Sequence, residues 1–153
     1  MILSAQSIRS RAGMIEPFHE RTVSHGMTFG LSPAGYDIRI RESLCLWPGD
    51  FALASSIERF VVPLDLMPRL VDKSTWARRG VSLFNTVAEP GWSGFWTLEL
   101  VNHGPGPVQI EAGMPIAQVV FQLLDQPTDQ PYGAGKYQSQ PPRPVPAILE
   151  AAA

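Results

Sequence analysis

Glu99 is the carboxylate whose setting points most directly to chemistry. It lies in Phe95-Trp96-Thr97-Leu98-Glu99-Leu100-Val101, the longest strand signal in the chain. Alternation along a strand puts Thr97, Glu99 and Val101 on one face and Trp96, Leu98 and Leu100 on the other. On a sheet with one wet face, Glu99 is a solvated surface residue. In a cleft, it is a rigidly held carboxylate whose pKa burial can tune for proton transfer. A second group, Lys73-Ser74-Thr75-Trp76-Ala77-Arg78-Arg79, gathers hydroxyls and cations at the mouth of a short helix. Free backbone N–H groups, hydroxyls and cations together suit a polyphosphate. The plainer alternative is a capped helix with a solvated basic face. The Walker pattern Gly-x-x-x-x-Gly-Lys is absent. A third group, Tyr132-Gly133-Ala134-Gly135-Lys136-Tyr137-Gln138-Ser139-Gln140, combines glycines, aromatics and a cation. It suits a lid over a bound nucleotide, and equally a mobile polar tail. His19, His25 and His103 are isolated, without metal-ligand spacing, and read as surface or loop residues.

The elements that must position these groups are short. Residues 4–12 predict one helix, with Ser4 as N-cap and Gly13 as terminator. A polar loop is expected from Phe18 through Gly30. Residues 36–40, 51–56, 57–62, 81–86, 95–102, 108–110 and 116–124 read as strands. Residues 74–80 read as one or two helical turns, capped by Ser74 or Asp72 and closed by Gly80. Turns fall at Trp47-Pro48-Gly49-Asp50, Glu89-Pro90-Gly91-Trp92-Ser93-Gly94 and Asn102-His103-Gly104-Pro105-Gly106-Pro107. Strands at this spacing with Gly and Pro punctuation predict an all-β barrel or sandwich carrying one or two small helices. Residues 1–140 are expected to form one domain, and 141–153 a loose, flexible Pro/Ala-rich tail.

Composition narrows the function classes. Among 153 residues, 12 Lys and Arg against 14 Asp and Glu give a net charge of −2. That lacks the basic footprint of sequence-independent nucleic-acid binding, so no nucleic-acid partner is expected. With 44% hydrophobic and 17% charged residues, the chain has the makings of a packed core. No apolar run approaches a membrane span, and the first residues lack a secretory pattern, so the expectation is a cytoplasmic protein with no membrane partner. Cys45 is the only cysteine. An internal disulfide is therefore ruled out, as is any zinc site needing two thiolates.

Read in order, these segments resemble the dCTP deaminase family of the dUTPase-like superfamily. Met14-Ile15-Glu16-Pro17-Phe18 resembles its N-terminal segment, and Ser32-Pro33-Ala34-Gly35-Tyr36-Asp37-Ile38-Arg39 its Gly-Tyr-Asp-Val-Arg strand. Lys73-Ser74-Thr75-Trp76-Ala77-Arg78 resembles its phosphate motif Lys-Ser-Thr-Tyr-Ala-Arg. Glu89-Pro90-Gly91-Trp92-Ser93-Gly94, followed by Thr97-Leu98-Glu99, resembles its turn and catalytic strand. Gly135-Lys136-Tyr137-Gln138-Ser139-Gln140 resembles its Gly-Lys-Tyr-Gln-x-Gln tail. At equal length, Phe84 falls where the family commonly has Asn or His, and Val87 where it has Pro.

The resemblance implies a distorted jelly-roll or β-barrel fold of the dUTPase-like type. It implies a homotrimer, or two trimers paired as a hexamer, with sites between subunits. The implied reaction is hydrolysis of dCTP to dUTP and ammonia, for thymidine nucleotide synthesis, with dTTP as inhibitor. Most nucleobase deaminases activate water on zinc held by His/Cys/Cys; one cysteine excludes that set, and the family is understood to work without zinc. Glu99 is then the general base and proton shuttle. The backbone around Thr86 and Val87 orients the water and reads the base. Ser74, Thr75 and Arg78 hold phosphates with help from Lys73, and Arg78 reaches a neighbouring subunit's nucleotide. Lys136 and Gln140 close over the triphosphate, Tyr132 lies near base or sugar, and Glu89 lies near the sugar. Mg²⁺ arrives with the triphosphate, held mostly by phosphate oxygens and water. Other readings are a dUTP pyrophosphatase or bifunctional enzyme using Glu89, a non-catalytic nucleotide-binding regulator, and a purely structural jelly roll.

Overall fold

The computed structural model describes residues 1–150. Eleven strands and two short helices follow one another, and every strand pair is antiparallel. The helices are α1 (Ala5–Arg9) and α2 (Ser74–Ala77). One sheet has the order β1 (Ile15–Glu16), β6 (Phe51–Val61), β9 (Ser93–Asn102), β8 (Val81–Leu83). The second has the order β2 (Thr22–Ser24), β3 (Met27–Ser32), β4 (Gly35–Arg39), β11 (Pro115–Leu123), β7 (Leu66–Asp72). A two-stranded ribbon pairs β5 (Leu44–Leu46) with β10 (Val108–Ile110). Among the described residues the architecture is mainly β, as expected, and its sheets do not close into a barrel.

The core follows from alternation. Leu98 and Leu100 of β9, Phe60 of β6, Tyr36 and Ile38 of β4, and Val119 and Phe121 of β11 are all fully buried. Burying a side chain of this size is worth roughly 1.5–3 kcal/mol. Ile8 is the buried residue of α1, and Trp76 that of α2. The Trp76 indole donates to the Pro115 carbonyl at 2.7 Å, which nails α2 to the second sheet.

Several boundaries differ from the sequence expectation for identifiable reasons. Residues 51–62, read as two strands, form the single strand β6. Its register against β9 slips between Ser55 and Arg59, and Ala54, Ser55 and Ser56 are buried in succession. Three residues, 56–58, lie opposite Trp96 alone, and these two extra residues break the period-2 pattern without ending the strand. The expected polar loop before Gly30 contains the hairpin β2–β3, turning at His25 and Gly26, both at positive φ. Two consecutive positive-φ residues match the twist of a tight hairpin. The sequence reading missed β7, which carries Pro68; β7 is a sheet edge, where proline costs no ladder bond. The 4–12 helix is one turn shorter at its C-terminal end, and Ser4 makes no side-chain cap. The N-cap position of α2 is Lys73 rather than Ser74 or Asp72. Asp72 instead accepts from the Leu83 N–H at 2.9 Å.

Candidate active site

The face of β9 carrying Thr97 and Glu99 is neither open solvent nor core. It forms one wall of a cavity of about 480 Å³. The segment Asn85–Glu89, which leaves β8 and crosses to the second sheet, also lines it. There Val87 bridges Arg69 and the Ala88 N–H donates to the Pro68 carbonyl at 2.9 Å. Trp92, Trp96, Tyr132 and Tyr137 supply aromatic surface, and Trp92 and Trp96 pack with centroids 5.3 Å apart and planes tilted by 50°.

The C-terminal segment completes the cavity. Gln140 docks beside β9: its carbonyl accepts from the Phe95 N–H at 3.1 Å, and its side chain accepts from Thr97 Oγ1 at 3.2 Å. Gly94, at φ 143°, permits this approach, since a Cβ there would meet the Gln140 nitrogen at 2.6 Å. The Trp92 indole donates to the Tyr137 carbonyl at 2.7 Å. Gln138 caps the turn at both ends, accepting from the Ser93 N–H and donating to the Gly91 carbonyl. Beyond Gln140 the chain keeps contact: the Val145 N–H donates to Thr97 Oγ1 at 3.1 Å and the Ile148 N–H to the Tyr137 hydroxyl at 2.9 Å. Val145 and Ala147 line the cavity.

Glu99 is half-buried in this wall, and burial alone pushes its carboxyl above the ordinary glutamate range. No neighbouring charge offsets that shift. A carboxyl set this way can hold a proton and return it nearer neutral pH than a free glutamate can. Its backbone, by contrast, is tightly fixed. The Glu99 N–H donates to Asn85 Oδ1 at 3.1 Å and its carbonyl accepts from the Phe84 N–H at 3.0 Å.

The structure brings Thr86, Val87, Glu89, Glu99, Tyr132 and Gln140 together around the cavity. Lys73, Ser74, Thr75, Arg78 and Lys136 are not among its lining residues. Ser74, Thr75 and Arg78 are exposed on α2 and its C-terminal flank. Lys136 lies 5.4 Å from the Tyr137 ring and 3.9 Å from a Glu150 oxygen. Lys73 is placed differently from the other cations. The sequence groups it with the phosphate cations, but its ammonium is buried and bonds Asp37 at 2.6 Å. Among the described residues the cavity lining therefore holds two carboxylates, Glu89 and Glu99, and no Lys, Arg or His. Among the described residues no group of three or more His, Cys, Asp or Glu is placed to hold a metal ion, and no helix is long and apolar enough to cross a membrane.

Sequence reasoning missed Asn85, Trp96, Thr97, Tyr137 and Val145 as site residues. Thr97 was legible in principle, since it shares the Glu99 face. Alternation puts Trp96 on the opposite face, yet it lines the cavity. Val145 carried no signal, because its contact is made by a backbone N–H.

The family model described as dCTP deaminase-like matches residues 36–124. A dCTP deaminase of Gemmatimonas aurantiaca is 37% identical, across 84% of this chain and 87% of its own length. One of Acidobacterium capsulatum is 36% identical, across 91% and 94%. The first alignment runs to 160 positions, longer than this whole chain, so that relative carries segments this chain lacks. The crystal structure of 2'-deoxycytidine 5'-triphosphate deaminase from Agrobacterium tumefaciens superposes with TM-score 0.66 at 16% identity, over 80% of this chain and 47% of that one. The EIAV dUTPase superposes with TM-score 0.56 at 19% identity, over 67% and 85%. The structural likeness establishes a shared dUTPase-like fold. With the model match and the sequence relatives beside it, the chain belongs to the dCTP deaminase-like family.

Proposed function

We propose that this protein hydrolyses dCTP to dUTP and ammonia, with Glu99 as general base and proton shuttle. The observation that carries the reading is a half-buried, uncompensated carboxylate held on a rigid strand in an aromatic-walled cavity. The names of the relatives agree with it. Glu99 takes a proton from water, and the resulting oxygen attacks C4 of the cytosine ring. The proton moves to the ring nitrogen N3. That proton stays on N3, and Glu99 carries the second proton, from the C4 hydroxyl, to the amine, which leaves as ammonia while C4 becomes a carbonyl. Thr86 and Val87, on the same cavity as Glu99, offer backbone groups to orient the water and the base edge. Tyr132 and Glu89 lie on the same cavity for the sugar. The chemistry runs without zinc, because one cysteine falls short of a His/Cys/Cys ligand set.

The charge balance supports sites shared between copies. A triphosphate needs cations, and the cavity lining supplies only carboxylates. Ser74, Thr75 and Arg78, exposed on the surface, are free to serve the cavity of a neighbouring subunit in a homotrimer or a hexamer of paired trimers. Lys136 and Gln140 close over the phosphates. The scarcity of clustered acids leaves Mg²⁺ to phosphate oxygens and water, as is usual for this hard ion. dTTP, which shares the triphosphate and deoxyribose, is the expected inhibitor, and the cytoplasm the expected location.

Glu89 favours a second reading. A second carboxylate on the same cavity is placed to activate water toward the phosphates, which would make the enzyme bifunctional and yield dUMP and pyrophosphate. Incubation of the pure protein with dCTP and Mg²⁺, with products separated by chromatography, decides between them. dUTP and ammonia are expected, and dUMP with pyrophosphate would promote the second reading. No turnover of dCTP or dUTP by folded protein would overturn both and leave a nucleotide-binding regulator.

A further inference from the structure

Strand β8 stops pairing with β9 in an unusual way. The Phe84 N–H still donates to the Glu99 carbonyl at 3.0 Å. Continued as an antiparallel ladder, the Phe84 carbonyl would accept from the Glu99 N–H, and the Thr86 N–H would donate to the Thr97 carbonyl. The side chain of Asn85 takes both positions instead. Asn85 Oδ1 accepts from the Glu99 N–H at 3.1 Å, and Asn85 Nδ2 donates to the Thr97 carbonyl at 2.7 Å. One amide thus stands in for a backbone peptide. It satisfies two strand groups that would otherwise lack partners. The backbone of Thr86 and Val87 leaves the β9 ladder, Val87 bridges Arg69 of β7, and both residues line the cavity.

We propose that Asn85 is a positioning residue, whose amide clamps the backbone on both sides of Leu98 and thereby sets the spacing between the Glu99 carboxylate and the Thr86–Val87 wall. The inference rests on the reaction proposed above and deepens it. The role demands a donor and an acceptor on one short planar group. Aspartate lacks the donor, serine has a single oxygen, and glutamine places the amide one methylene too far. A misplacement of about 1 Å at a reacting group is enough to cost about 100-fold in rate.

Asn85→Ala and the isosteric Asn85→Asp test it. In an active enzyme, both are expected to lower kcat for dCTP by about 100-fold, with KM within about threefold of the parent. Asn85→Asp is further expected to move the Glu99 limb of the pH–rate profile upward, since it adds a like charge nearby. Amide hydrogen exchange supplies a readout that needs no turnover. In Asn85→Ala, the Glu99 amide is expected to exchange at least about tenfold faster while the other β9 amides keep their protection. Unchanged exchange at Glu99, or unchanged kcat in both variants, overturns the clamp. Parent protein inactive on dCTP overturns the proposed reaction instead, and the exchange result still decides the clamp.

Discussion

Two glutamates on neighbouring strands of one sheet have opposite fates. Glu58 of β6 is fully buried, and both of its oxygens are engaged. Oε2 accepts from the Arg39 backbone N–H at 2.9 Å and Oε1 from Arg39 Nε at 2.7 Å. The Arg39 guanidinium in turn lies 4.4 Å over the Phe29 ring. Glu99 of β9 is less buried, yet nothing compensates its charge, and its carboxyl titrates high. The contrast separates charge that joins two sheets from charge that is kept available. A buried ion pair is stable only while both partners stay. An uncompensated carboxylate beside a cavity costs stability and is tolerated where proton transfer needs it.

The comparison can be broken by exchanging the two effects. Glu99→Gln is expected to lower kcat for dCTP by about 10²–10⁴-fold while the fold survives, as judged by circular dichroism and product assay. Arg39→Ala is expected to cost about 3–5 kcal/mol of stability in urea denaturation, because Glu58 is left buried and unpaired. Its kcat per folded molecule should match the parent; a specific loss of kcat would erase the distinction between the two glutamates. Arg78→Ala should raise KM for dCTP by about tenfold with little change in fold, equal to about 1.4 kcal/mol of phosphate binding. Unchanged KM would remove α2 from the phosphate site.

The smallest effect is a pH-dependent one. The folded-state pKa of Glu99 is raised above its unfolded value, so ionisation opposes folding. That penalty is full above the folded pKa and disappears below the unfolded one. Glu99→Gln should therefore melt slightly higher than the parent at neutral pH, and the gain should vanish as the pH falls through the folded and then the unfolded pKa. A Tm difference independent of pH would assign the change to packing rather than charge.

Much of this was legible along the chain because it depends on local order. The period-2 pattern of residues 95–102 identified β9 and the face of Glu99. The order of five short motifs pointed to the family, and the turn-rich spacing to an all-β fold. Where local order misled, a distant partner was responsible. Lys73 reads as a phosphate cation beside Ser74 and Thr75, but Asp37, 36 positions earlier, holds it inside the protein. The hairpin at residues 22–32 reads as polar loop because its outer strand carries little apolar surface.

Residue types along the chain already show which groups can do chemistry: a glutamate on a strand, hydroxyls and cations at a helix turn, and one cysteine too few for a thiolate zinc site. Which of them meet depends on the packing of the sheets. It turned the Glu99 face from a wet surface into a cavity wall by laying residues 137–148 across it. It tied the facing loop down through a side-chain amide, and it left the cations of α2 outside. Side-chain type is a local property of the chain, whereas desolvation, ion pairing and the width of a cleft depend on distances between segments far apart in sequence, which exist only once the sheets have packed.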